Sequence, residues 1–188
     1  IRDKMKMQQN FIEELENRGN ANIDSNNAKI NKLDEEVLHY IKQNSILEES
    51  IDGYTKEQES VTGSAKKLSK LNTLRGKISQ RVSTITKEHK FFTENTVCPT
   101  CQQDIEEEFR LNRISDAQNT AKELKKGFDE LESTIEFEQK RERLFNSLSK
   151  EITKLTHGIS QNNTRISLNQ RQIRDLEHEI QTITSNLQ

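Results

Sequence analysis

From Ile30 to Ile85 the apolar side chains recur at spacings of three and four with few lapses: Ile30, Leu33, Val37, Ile41, Leu47, Ile51, Tyr54, Val61, Ala65, Leu68, Leu71, Leu74, Ile78, Val82, Ile85. Such spacing returns apolar groups to one face of an α-helix, so the stretch, closing at Phe92, predicts a long helix with a narrow apolar seam. A second seam begins with Ala117, Ala121, Leu124, Phe128, Leu131 and Ile135. After a polar lapse from Glu138 to Arg143 it resumes at Phe145 and Leu148 and continues through Ile152 and Ile159 to Leu187. Two consecutive spacings of three around Phe145 and Leu148 overwind a coiled coil locally without breaking it. The pattern predicts an all-α chain, with a first arm over 1–94, a turn over 95–104 and a second arm over 105–188. Folded back at the turn, the arms form a long antiparallel coiled-coil hairpin in which residue i faces roughly residue 199 − i.

Three features modulate the seams. Asn17 to Asn31 holds six asparagines and Gly19, all poor helix formers, so looser packing is expected there. Gly53 and the Glu59–Ser64 stretch form a second soft spot. Glycine costs only ~1 kcal/mol against alanine inside a helix, so the expectation is a helix that runs on and bends; a hinge is the functional alternative. Asn162 and Asn169 fall on seam positions and set register, as buried polar residues do in coiled coils.

Between the seams lies Asn95-Thr96-Val97-Cys98-Pro99-Thr100-Cys101-Gln102-Gln103-Asp104, with both cysteines and the only proline of the 188 residues. Pro99 biases Cys98 toward extended backbone, and Asn95 is a stop signal for the first arm. Thr100 and Gln103 have capping-box spacing, which would open the second helix at Cys101 and favour its thiolate. A Cys-x-x-Cys turn brings two sulfurs within reach of one Zn²⁺, yet a structural zinc site takes four ligands. His89 is nine residues away, about 13 Å along a helix. A second copy of the turn completes the tetrahedron most simply, so Cys98 and Cys101 from two chains are expected to share one zinc ion and hold a homodimer. A redox dithiol or plain thiols are the alternatives, but a thioredoxin-like site needs a βαβ context that these seams do not offer. His39, His89, His157 and His178 are scattered and read as packed or surface residues.

Composition narrows the function. Apolar residues make up 30% and charged residues 32%, tryptophan is absent, and mean hydropathy is −0.97, too little for a large globular core and suited to long helices. A net charge of −2 makes no global case for nucleic acid or an anionic membrane. No apolar run approaches membrane-spanning length, so a membrane partner is not expected. No phosphate-binding glycine loop is present, which argues against catalysis in this segment. Paired thiols without signs of secretion suggest an internal segment of a cytoplasmic protein.

Charge also tests the pairing. Lys66, Lys67, Lys70, Arg75, Lys77, Arg81, Lys87 and Lys90 face one acidic neighbour, Glu88, within 64–90, whereas 104–136 holds ten acidic and five basic residues. Opposite signs on facing segments support an antiparallel pair within one chain. Salt bridges between arms and a solvated face are then the expected use of the basic run, with DNA contact the alternative.

Cys98-Pro99-Thr100-Cys101 between two matched helical arms resembles the zinc hook of the SMC/ABC-type double-strand-break repair ATPases of the SbcC kind. The wording from Glu94 to Asp104 is most similar to the large ATPase subunits of T4-like bacteriophage recombination endonucleases. The resemblance implies a non-catalytic coiled-coil apex whose hook joins two ATPase molecules, so that DNA ends or sister duplexes are held together. It further implies that the nuclease subunit and most DNA contacts belong to a head region outside this sequence, leaving this segment weak or no DNA binding. A phage-encoded chain would act in the host cytoplasm.

Overall fold

The computed structural model describes residues 2–187; the outermost residues of the two expected arms, Ile1 and Gln188, lie outside the described residues. Three helices account for nearly all of it: α1 (Arg2–Ser60), α2 (Ser64–Glu94) and α3 (Glu107–Asn186). Among the described residues there is no strand, only an isolated bridge between Val97 and Asp104. The described residues are all-α, and no helix among them is long and apolar enough to cross a membrane.

The chain divides into two units, residues 57–149 and residues 1–56 with 150–188. In the first, α2 and the beginning of α3 run antiparallel. Leu68, Leu131 and Ile135 form a buried cluster that Leu71 and Ile78 flank, with Ile135 only 2% exposed. Ion pairs Lys67–Glu138 and Arg75–Glu132 cross between the helices. The second unit is also an antiparallel helix pair, but with polar rungs in its seam. Asn26 Nδ2 donates to Glu179 Oε2 at 2.9 Å, Asn169 Nδ2 to Glu36 Oε2 at 3.0 Å, and Asn162 Nδ2 to Asn44 Oδ1 at 2.9 Å. Asn44 in turn donates to Asn163 Oδ1 at 2.8 Å.

These pairs correct the expected register. Asn26–Glu179, Glu36–Asn169 and Lys67–Glu138 place residue i opposite about 205 − i rather than 199 − i. The offset is about two residues at the turn, where α2 stops at Glu94, α3 starts at Glu107 and Glu88 pairs with Arg113, and it grows to about six by the Lys67–Glu138 pair.

The seams also differ in membership. Ile41 (49%), Tyr54 (36%) and Leu74 (47%) are exposed, and Ala65 and Ala121 face solvent. Asn44, Gln58, Ser64 and Arg75 occupy the neighbouring inward positions. Three of these polar side chains hydrogen-bond across the helices, Gln58 to Ser149 and to the Phe145 carbonyl. In the asparagine-rich stretch, where looser packing was expected, Gly19 is buried against Leu187 and Asn26 is buried on its bond to Glu179.

The helix continues through Gly53 as expected but stops at Ser60, and a turn over 61–63 separates it from α2. Gly63 takes a left-handed conformation, φ 84°, which side-chain-bearing residues avoid and which ends helices. The polar lapse in α3 supplies the other half of the explanation. Arg141 Nη2 donates to the Ser60 carbonyl at 3.2 Å, satisfying an acceptor that the helix end leaves open. Arg141 Nη1 lies 2.9 Å from both carboxylate oxygens of Glu138, a side chain only 6% exposed.

Candidate metal centre

α2 closes in a way its sequence dictates. Asn95 is extended, its backbone N–H reaches the Phe91 carbonyl at 3.1 Å, and its side-chain amide donates to the same oxygen at 2.9 Å. The next open carbonyl, Phe92, accepts from Arg110 Nη1 of α3 at 3.1 Å. Phe92 packs edge-on against Phe91 and Phe109, with ring centroids 5.1 and 5.9 Å away, and the Arg113 guanidinium lies over its face at 5.9 Å. Arg113 also pairs with Glu88. This knot ties the two helix ends together directly beneath the turn.

Above it the chain forms a short hairpin. Ile105 N–H donates to the Thr96 carbonyl at 2.9 Å and Cys98 N–H to the Gln103 carbonyl at 2.8 Å, with Val97 bridged to Asp104 between them. Gln102 N–H closes the loop onto the Cys98 carbonyl at 2.8 Å, and Gln102 itself is left-handed, φ 60°. The expected capping box is therefore not formed. Gln103 is committed to the hairpin through its backbone, and α3 opens six residues after Cys101 with Glu107 and Glu108 in its first turn.

Cys101 accordingly does not sit at a helix N-terminus. The thiolate-favouring groups come from the turn and act on Cys98: the Cys101 and then the Thr100 backbone N–H, with the Cys101 side chain also in hydrogen-bond reach, hold the Cys98 thiol below its ordinary value. Cys98 is half-buried and Cys101 exposed; both are free, and the Cys101 thiol lies 3.7 Å from Gln103 Oε1. Two thiols on one short turn, one of them held toward its thiolate form, are a donor set that fits a thiolate-binding metal such as zinc.

No third His, Cys, Asp or Glu joins them in a cluster among the described residues. His89 faces α3 instead, its Nε2 3.4 Å from Gln118 Nε2. Sequence reasoning located both cysteines but missed Phe92, Phe109, Arg110 and Arg113 as the base of the turn. The aromatic pair either side of a proline-containing break was the available signal.

Compared with known proteins, the chain matches no protein-family model and no curated protein.

Proposed function

We propose that this chain is a zinc-mediated homodimerisation module. Cys98 and Cys101 of two copies would together hold one Zn²⁺ at the tips of antiparallel coiled-coil hairpins. The observation that carries the reading is the turn itself: both thiols on one hydrogen-bonded loop, with the Thr100 and Cys101 N–H groups supporting a thiolate at Cys98. Zinc would supply only a tetrahedral joint between thiolates, with no catalytic step. In keeping with the resemblance of the turn to a zinc hook, the joined copies would tether two DNA-repair ATPase molecules, and thereby DNA ends or sister duplexes. Nuclease partnership, and the bulk of DNA binding, would belong to regions outside this sequence.

The test combines metal analysis with sedimentation. The reduced chain should bind about one zinc per two chains and sediment as a dimer at micromolar concentration, because four-ligand zinc sites bind with apparent free energies of about 10–16 kcal/mol. Cys98→Ser/Cys101→Ser, or chelator on the parent chain, should give monomers with unchanged helicity. A double-serine variant that stays dimeric refutes the joint. A metal-free chain that cycles between dithiol and Cys98–Cys101 disulfide under a redox buffer favours a thiol-disulfide module instead.

A further inference from the structure

We propose that the solvent face of α2 is a docking strip for the sugar-phosphate backbone of duplex DNA, a sequence-independent contact made by this segment itself. At about 100° per residue, Lys66, Lys70, Lys77 and Arg81 fall within about 60° of one another, roughly a third of a turn from the seam of Leu68, Ile78 and Ile85. All four are exposed. The basic residues of α2 that find carboxylates are others: Lys67 pairs with Glu138, Arg75 with Glu132 and Lys90 with Glu94. Among the described residues the four make no ion pair, so the expected neutralisation between arms leaves them untouched. Their own helix offers no competitor, since Glu88, the first carboxylate after Ser64, is taken by Arg113.

Between the cations the same face carries the uncharged side chains of Thr73 and Gln80. The strip is about 22 Å long at 1.5 Å per residue. A duplex laid along it presents about six phosphates per strand, one every ~3.4 Å of axis, enough for each cation to meet one. A membrane surface fits less well, because apart from Leu74 at its edge the face has no apolar side chain to insert. Single strands fit less well because no aromatic ring is present for base stacking. The contact is independent of the metal reading.

Fluorescence anisotropy of a labelled 40-bp duplex against the full chain, with chelator present, tests it. Four phosphate contacts predict a slope of about −3.6 in log K against log[KCl], so binding weakens roughly a hundredfold from 50 to 200 mM. Lys66→Gln/Lys70→Gln/Lys77→Gln/Arg81→Gln should weaken binding at 50 mM at least about tenfold and flatten that slope. The charge-matched Lys4→Gln/Lys6→Gln/Lys32→Gln/Lys42→Gln should change affinity less than about twofold, and Lys66→Arg/Lys70→Arg/Lys77→Arg should bind as the parent does. Circular dichroism verifies that each variant is helical. Equal losses in the two glutamine variants, loss in the arginine variant, or absence of binding at 100 µM chain overturns the proposal. So does tighter capture by phosphatidylserine vesicles than by the duplex, which would assign the strip to a membrane surface.

Discussion

Glu138 and Arg141 are partners, yet removing each should shift stability in opposite directions. The Glu138 carboxylate is one turn from Ile135, the most buried side chain, and keeps 6% exposure; Arg141 holds both its oxygens at 2.9 Å and Lys67 stands 3.7 Å away. Arg141→Ala strands that carboxylate in the seam and also uncovers the Ser60 carbonyl. Breaking a buried pair from one side costs about 3–5 kcal/mol. Lys67, 60% exposed and free to swing inward, offsets part of this, which argues for the lower end, about 3 kcal/mol. Glu138→Leu instead extends the Leu131–Ile135 cluster by one slot. Replacing a buried ion pair with apolar groups is neutral or stabilising by about 1–4 kcal/mol, and Arg141 still has the Ser60 carbonyl and the Phe137 ring to rest on. Glu138→Leu/Arg141→Ala should therefore lie close to the parent, giving a coupling of about 3 kcal/mol in the double-mutant cycle. Urea unfolding followed at 222 nm on the metal-free chain measures it, and hydrogen exchange over 57–75 localises it. If Arg141→Ala costs under about 1 kcal/mol while Glu138→Leu costs more than about 2, the carboxylate is not held as an ion in the seam and the reasoning fails.

Two glycines give a second contrast. Gly63→Ala, at φ 84°, should lower the melting temperature, a cost of about 1–2 kcal/mol, whereas Gly53→Ala, whose Cβ meets nothing within 4 Å inside α1, should raise it, a gain of about 0.5–1 kcal/mol in stability. Cys98 yields a pH prediction. Its thiol is lowered in the fold, so in the metal-free chain its alkylation profile should have a lower midpoint than in urea, read by mass spectrometry of the modified peptide. The sign for stability follows: the contribution of the Cys98 thiolate is present above its unfolded value and lost as pH falls through the folded one. Coincident folded and unfolded midpoints would remove this support for a thiolate-binding turn.

The helical character of the chain was legible because long three-and-four spacing admits few alternatives, and the cysteine pair was legible because two thiols three residues apart stand out in any composition. What counting hydrophobes could not find were the inward polar residues. Asn44 lies between Ile41 and Leu47, and the seam passes through it while Ile41 points to solvent, because Asn162 and Asn163 across the seam satisfy its amide. Glu138 looked like a gap for the same reason: a carboxylate fills a seam position only when an arginine three residues on can fold back over it. The capping box at Thr100 and Gln103 was locally sound but lost to a longer-range demand, since the Gln103 carbonyl is the acceptor that closes the hairpin on Cys98. Gln102 in the left-handed region has no glycine or asparagine to announce it.

Polar rungs also explain how one register is chosen. A slip by one heptad would keep apolar residues facing apolar residues, so hydrophobic burial alone discriminates weakly against it. In the 57–149 unit the same slip carries Glu138 away from Lys67 and Gln58 away from Ser149. Each buried polar group left unpaired costs about 1–3 kcal/mol, and a stranded carboxylate costs more. The slip further shifts the α2 and α3 ends by about 10 Å relative to one another. Arg110 would lose the Phe92 carbonyl, Phe109 would leave Phe92, and Ile105 could no longer reach Thr96. The hairpin that presents Cys98 and Cys101 is thus compatible with one register of the helices beneath it. Seam polarity, which costs burial energy locally, is what places the two thiols on a defined loop rather than on a set of alternatives.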